Sequence, residues 1–538
     1  MAWYDEAVFY HIYPLGLTGA PKQNDYGKPV HRLRELTPWI EHIRRLGFTA
    51  LYIGPLFQSV GHGYETTDYR LLDTRLGTND DLVDFVRACH DAGVKVVFDG
   101  VFNHTGRDFF SFADLREKRE RSAYRDWYCN VNFSGNNEYG DGFSYETWGG
   151  YDLLAKLNQR NPAVRDYLCD VVRFWVSEFD VDGIRLDAAD VLDFDFMRAL
   201  RATADDVKPD FWLMGEVIHG DYSRWANERT LHSVTDYALH KAFYSAHNDH
   251  NYFEIAHTVR RTHSMVPDHI RLYNFCDNHD VERISTKLRN KAHYLPVHVL
   301  LYTLPGIPSV YYGSEFGIEG KKERFSDDSL RPHIELADHA TDYAENPCTR
   351  LVGALGTIRD TYTDDLAWGA YDELRLTTEQ YAFARGRLIV AVNNGDGEAS
   401  FEVDAPASDY IDLLGGTHVK TAHEKLLVEL PACGAAVFAP ADEDGQAAVE
   451  PDERIAASFA AARKEAQTAA KKEREAQAAV LDGVEVPDIP YEEMTVEQLQ
   501  AAILAKMAAN GPVTDQMRRD VEQNVWQDSL INWAKSFR

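Results

Sequence analysis

Up to about residue 355, short apolar runs alternate with longer segments whose apolar positions recur every three or four residues. The short runs predict strands at residues 7–13, 50–55, 94–102, 182–188, 211–217, 232–237, 270–276 and 308–313. Between them, LRELTPWIEHIRRLG, NDDLVDFVRACHDAG and NPAVRDYLCDVVRFWVSEF read as amphipathic helices, the first two closing on a glycine of the kind that ends a helix. Eight strand and helix units predict an α/β fold, a (β/α)₈ TIM barrel, over residues 1–355. An open doubly wound sheet suits the pattern less well, since no GxGxxG turn follows the first strand. The third and fourth strands are about 80 residues apart, too far for one crossover helix. That stretch is rich in Gly, Asn and aromatics, as in NVNFSGNNEYGDGFSYETWGGYD, and predicts an inserted lobe at about 104–160.

Beyond this the period changes to two. QYAFARGRLIVAVNNGDGEASFEVDA carries an Asn-Asn-Gly-Asp turn between alternating runs, with LLVELP and AAVFAP after it, so residues 356–440 predict a C-terminal all-β sandwich. Residues 441–490 shift to Ala, Glu and Lys and predict a charged, solvent-facing helical linker. Residues 491–538 predict a helical tail: Thr495 with Gln498 has the spacing of a capping box, Asn510-Gly511 reads as a stop, and a second helix starts at Thr514 with Met517, Val521, Val525 and Trp526 on related faces.

Charge narrows the partners. A formal net charge of -30 argues against nucleic acid and against an anionic membrane surface, and is compatible with a neutral ligand such as a sugar. No stretch approaches a membrane span, and MAWYDEAVFYHIYPL lacks the basic start and apolar run of a secretion signal. Six scattered cysteines, at 89, 129, 169, 276, 348 and 433, include no Cys-x-x-Cys pair, so reduced thiols and a cytoplasmic location are expected.

The chemistry gathers on strand ends. In GIRLDAA (183–189), Arg185 and Asp187 are two apart and share one face of the strand, while Ile184 and Leu186 share the other. Alone, such a pair reads as readily as a structural ion pair as it does a guanidinium keeping a nucleophilic carboxylate charged. Other strand ends carry Asp99, Asn103 and His104 (DGVFNH), Glu216 (GEV), and His279 and Asp280 (CDNHD). On a parallel barrel these groups converge at the carboxyl rim, where catalytic residues sit. Glu216 follows the apolar run FWLM, and desolvation there is expected to hold a proton on it near neutrality.

DGVFNH (99–104), GIRLDAA (183–189), GEVIH (215–219) and FCDNHD (275–280) resemble, in order, the four signature regions of the alpha-amylase family of glycoside hydrolases. HGYETTDY (62–69) is similar to that family's run after the second strand. LAKLN (154–158) is similar to its fifth region in the form found in the cyclomaltodextrinase, neopullulanase and maltogenic amylase branch. The resemblance implies Asp187 as nucleophile, Glu216 as general acid and base, and Asp280 as the third carboxylate that orients the sugar. It further implies that Arg185 keeps Asp187 charged, that His104 and His279 bind sugar hydroxyls, that Tyr64 stacks on the ring, and that Asp99 organises the third strand end. Glu65 and Ala155 depart from the usual Asp and Pro of these runs. FSDDSLRP offers Asp327, Asp328 and Arg331 as an acid and base grip on the far end of the sugar, with unusual spacing. Asn103 is the position where the family often holds a structural calcium; no cofactor is required for the reaction itself.

The implied activity is retaining hydrolysis of α-1,4 linkages, with α-1,6 branches as a further candidate, in maltodextrins, cyclodextrins or related α-glucans, with close-set carboxyl groups and a covalent intermediate. Two other readings stay open: an α-glucan transglycosylase on the same site, and a non-catalytic carbohydrate-binding barrel. The helical tail is a candidate for homo-oligomer contacts.

Overall fold

Eight parallel strands, Phe9–Ile12, Ala50–Ile53, Lys95–Gly100, Gly183–Leu186, Trp212–Gly215, Ser233–Val234, Tyr273–Phe275 and Ile307–Tyr311, form one sheet in the computed structural model. The structure describes residues 2–324, 326–452, 454–455, 458–459, 486–510 and 515–537. Strands pair in chain order from the first to the sixth, the first also pairs with the eighth, and the eighth with the seventh. A parallel bridge between Thr235 and Tyr273, with Asp236 N–H donating to the Tyr273 carbonyl at 2.9 Å, joins the sixth strand to the seventh and closes the cylinder. The fold is a TIM barrel, as the periodicity predicts; seven predicted strands contain the observed one, and the eighth overlaps an observed strand that starts one residue earlier, at Ile307.

Alternation along the strands makes two apolar layers. Inward residues Phe9, Tyr52, Val97, Trp212, Met214 and Tyr273 fill the cylinder, while Tyr10, Leu51, Phe98, Ile184, Leu186 and Leu213 pack outward beneath the helices. The helices begin where local chemistry starts them. Thr78 caps Asn79–Asp91 in a reciprocal box with Asp81, and Gly93 follows that helix with φ +76°. Asn161 accepts from Ala163 N–H at 2.9 Å and Pro162 opens Pro162–Phe179. That helix buries Trp175, which stacks on Phe57 at 4.4 Å and donates to the Tyr69 carbonyl at 2.7 Å. Burying a side chain of that size contributes about 3 kcal/mol.

After the third strand, His104–Thr105, Thr147–Trp148 and Tyr151–Lys156 form a small antiparallel sheet that, with helix Phe110–Lys118, makes the lobe. Its core is Phe112, Leu115, Tyr128 and Phe143, all buried.

The C-terminal strands form a six-stranded sheet and a two-stranded sheet around Ala391, Phe401, Tyr410, Leu426, Val428 and Phe438. Two details differ from expectation. Helix Pro347–Thr361 runs across residue 355, and the first strand of this region starts only at Tyr371. The Asn-Asn-Gly-Asp segment is not a hairpin turn. Both edges of Leu388–Asn393 are taken, by Gln380–Arg385 and Ala435–Pro440, so the chain crosses to the other sheet, where Ala399–Asp404 pairs with Lys425–Leu430. The hairpin lies one connection earlier, across Gly386 at φ +54°.

Residues 441–459 correct the expectation of a solvent-facing linker where they are described. Val449, Ile455 and Phe459 are buried, and Asp452 forms a two-pronged pair with Arg350 of helix Pro347–Thr361. The Ala, Glu and Lys run at 461–480, Gly511 and Thr514 lie outside the described residues.

The described residues from 486 onward make a second compact unit. In it, helices Val496–Asn510, Asp515–Glu522 and Gln527–Ser536 surround Leu499, Ile503, Val521 and Leu530. Thr495 and Gln498 form the expected capping box at 2.9 and 3.3 Å. Val521 is buried, but Met517 of the same helix is exposed, and so are Val525 and Trp526, which follow the end of that helix at Glu522.

Candidate active site

Every strand end that carries chemistry opens on one rim. Asp99 lies within the third strand, directly opposite Arg185 of the fourth. Asp187 and Glu216 follow the fourth and fifth strands, held by N–H bonds to the Gly100 and Leu186 carbonyls at 3.1 and 2.9 Å. His279 and Asp280 follow the seventh strand and Arg331 the eighth.

Arg185 is the hub. Its Nη1 donates to Asp99 Oδ1 and to Asp187 Oδ1, each at 2.9 Å, and its Nη2 reaches Glu216 Oε2 at 2.8 Å. The planar fork suits this task, since one guanidinium presents donors on two nitrogens to three carboxylates at once. Asp99 also takes hydrogen bonds from Tyr52 at 2.8 Å and Tyr64 at 3.0 Å, and Tyr64 contacts His279 Nε2. Gly54 makes room for it: a Cβ there would sit 2.3 Å from Asp99 Cβ.

On the opposite side of the rim, Asp280 accepts from Arg331 Nη2 at 2.9 Å and lies 3.0 Å from His279 Nε2. Arg331 Nε also donates to the His279 carbonyl at 3.0 Å. Asp327 joins Arg331 at 3.3 Å, whereas Asp328 turns away to pair with Lys22 on the surface, its side chain 59% exposed. The structure therefore brings Arg331 to the cluster and leaves Asp328 outside it. The odd spacing of FSDDSLRP has a physical basis: a 3-10 turn at Asp328–Leu330 points successive side chains apart.

The two aspartates are pushed in opposite directions. Burial raises the Asp187 pKa well above the usual carboxylate range; Arg185 opposes this, while Glu216, Asp99 and Asp280 add to it. Burial also works upward on Asp280, but His279, Arg331 and Arg185 outweigh it and hold that group well below the range. Burial alone would lower Arg185, yet Asp99 and Glu216 keep it firmly protonated.

His104 is neutral, its pKa lowered by burial to about 3. Its Nε2 donates to the Tyr64 carbonyl at 3.1 Å, so Nδ1 is the acceptor for Asn103 Nδ2 at 3.1 Å. Both ring nitrogens are thus engaged within the protein. Trp148 of the lobe lies parallel to this ring, centroids 6.5 Å apart. Asn103 Oδ1 is buried with no hydrogen-bond partner among the described residues. A calcium ion takes six or more oxygens, with carboxylates prominent among them. Among the described residues no group of three or more Asp, Glu, His or Cys side chains is placed to hold a metal.

Three participants were not singled out from the sequence. Ala188 adopts φ 47°, ψ 43°, a left-handed turn rare for a residue with a Cβ, and this aims its N–H at Glu216 Oε2, 3.1 Å away. Tyr237 and Asn278 form a second line of support on the other oxygen of Glu216. Their signal was position alone: one ends the predicted sixth strand and the other stands within CDNHD.

Paired carboxylates in different charge environments on a barrel rim are the equipment for cleaving glycosidic bonds, and the class is that of the glycoside hydrolases. The alpha amylase catalytic domain family matches residues 26–352, and the chain belongs to the alpha-amylase family. It is similar to a maltogenic alpha-amylase of Bacillus acidopullulyticus, 33% identical over 341 residues, covering 60% of this chain and 58% of that protein, less than two thirds of its length. A cyclomaltodextrinase of Geobacillus thermopakistaniensis is 28% identical over 81% of this chain and 77% of its own. Among solved structures, a debranching enzyme of Nostoc punctiforme superposes with a TM-score of 0.70 at 27% identity, covering 81% of this chain and 98% of that one. Among the described residues no helix is long and apolar enough to cross a membrane.

Proposed function

We propose that the chain hydrolyses α-1,4-linked glucose oligomers, linear or cyclic, with retention of anomeric configuration. Asp187 attacks C1 while Glu216 protonates the leaving oxygen. Glu216 then takes a proton from water, which displaces Asp187 from C1 and releases the sugar. Asp280, kept ionised by His279 and Arg331, stabilises the cationic character of the ring in the transition state of each step. The observation that carries the reading is Arg185 gripping Asp187 and Glu216 through its two terminal nitrogens. Retaining enzymes need the two carboxyls roughly 5 to 5.5 Å apart, and inverting ones roughly 6.5 to 9.5 Å. A shared guanidinium favours the shorter spacing. The relatives named maltogenic alpha-amylase and cyclomaltodextrinase support the substrate class. A cytoplasmic site of action is supported by a Bacillus subtilis relative named intracellular maltogenic amylase.

The test is the product profile over maltose, maltotriose, pullulan and a cyclodextrin, with the anomer first released from maltotriose followed by NMR. Shorter products of α configuration are expected. A β anomer would refute retention, and products longer than maltotriose would assign a transglycosylase.

A further inference from the structure

We propose that Tyr237 and Asn278 are positioning residues that orient Glu216 through a one-way hydrogen-bond chain. This rests on the assignment of Glu216 as acid and base.

The direction of the chain follows from donor inventory. Asn278 Oδ1 accepts from the backbone N–H groups of Asp280 at 2.8 Å and Val281 at 3.2 Å. Its amide nitrogen is therefore the end that faces Tyr237, donating to the phenol oxygen at 3.1 Å. A hydroxyl has one proton, and with its oxygen already accepting from Asn278, that proton points to Glu216 Oε1, 3.1 Å away. Tyr237 is held in place as the first residue of helix Tyr237–Asn248, which Asp236 caps by accepting from Leu239 N–H at 2.9 Å. Burial, and then the charges of Glu216 and Asp280, push the phenol well above its ordinary pKa, so it remains a donor throughout the working range.

The charged and polar groups facing Glu216 come from three elements. Arg185 and Ala188 N–H, from the fourth strand and its turn, hold Oε2. Asp187 and Asp190 of the same segment lie near it, with His219 beside Asp190. Asp280 faces Tyr237 from the seventh strand end. Tyr237 holds Oε1, and without it that oxygen loses its anchor.

Tyr237→Phe tests this, with Glu216→Gln measured beside it. The loss of kcat/KM on maltotriose is expected to be about 10-fold, the size set by one hydrogen bond to a charged group. That loss is expected to shrink severalfold on an aryl maltoside whose leaving group needs no acid. Asn278→Ala, which removes the upstream donor, should cause a smaller loss with the same dependence on leaving group. An equal loss on both substrates, in a folded Tyr237→Phe protein, would overturn the proposal and mark a purely structural tyrosine. If that variant does not fold, an equal loss on both substrates in Asn278→Ala overturns it. Should Glu216→Gln keep full activity on maltotriose, the assignment of Glu216 itself falls, and this inference with it.

Discussion

Replacing Arg185 with methionine, which keeps the length of the side chain and removes its charge, should leave a barrel whose stability depends on pH in the opposite sense from most proteins. The side chain is 3% exposed and bonds three carboxylates at 2.8 to 2.9 Å. Each such charge-assisted bond contributes about 1.5 to 3 kcal/mol, but burying the guanidinium cancels part of the total. Removing one partner from a buried ionic cluster costs about 3 to 5 kcal/mol, a large fraction of the 5 to 15 kcal/mol that ordinarily separates folded from unfolded chains. The carboxylates left behind repel one another in a buried setting, so their folded-state pKa values rise above the unfolded values near 4. A raised acid stabilises the fold below its unfolded pKa, and that contribution is lost as pH increases through the folded pKa. The deficit of Arg185→Met should therefore be small near pH 4 and largest above neutrality. Urea midpoints at pH 4.5, 6 and 8 against the parent protein measure it. A deficit that is constant with pH, or larger in acid, would refute the reasoning. Arg185→Lys should recover only part of the loss, because a single ammonium cannot present two nitrogens to two carboxylates.

Other outcomes follow from the same geometry. Asp187→Asn should cut turnover by about 10³-fold or more while leaving the melting temperature at pH 7 unchanged or higher, since burial already disfavours the charged form there; calorimetry beside a rate assay checks both. Because that raised carboxyl must ionise to attack, the acid limb of kcat should stand above the ordinary carboxylate range, and activity should fall as pH drops through it. Gly54→Ala should cost about 1 to 3 kcal/mol and depress kcat by displacing Asp99, which denaturation and kinetics would register together. Arg331→Ala should reduce kcat/KM about 10- to 100-fold, whereas Asp328→Ala should change it little, the exposed pair with Lys22 contributing about 0 to 1 kcal/mol.

The parts legible in the sequence were those where one residue reports its own surroundings. Strand period and glycine stops are local, so the eight barrel strands and their helices could be read in order. Asp187, Glu216 and Asp280 could be placed because a parallel barrel sends all its strand ends to one rim. The pairing of Leu388–Asn393 could not be read this way, because which neighbour takes a strand edge depends on residues some 45 positions later. Asp328 and Asp327 are adjacent acids in the same loop, and a single 3-10 turn decides which one meets Arg331. The left-handed Ala188 carries no glycine to announce it, and Tyr237 gains its meaning only through Asn278, 41 residues on.

The closure of the cylinder has a mechanical consequence. Its wall is seamed unevenly: continuous strand pairing runs from the first strand to the sixth, while among the described residues one backbone bridge joins the sixth to the seventh, backed beyond the strand ends by the hydrogen bond from Asn278 to Tyr237. Asp187 and Glu216, the proposed reacting pair, stand on adjoining staves of the well-stitched arc. Asp280 stands across the thinner seam from Glu216, so their spacing leans on that bridge and that side-chain bond, where the first pair leans on a full strand ladder.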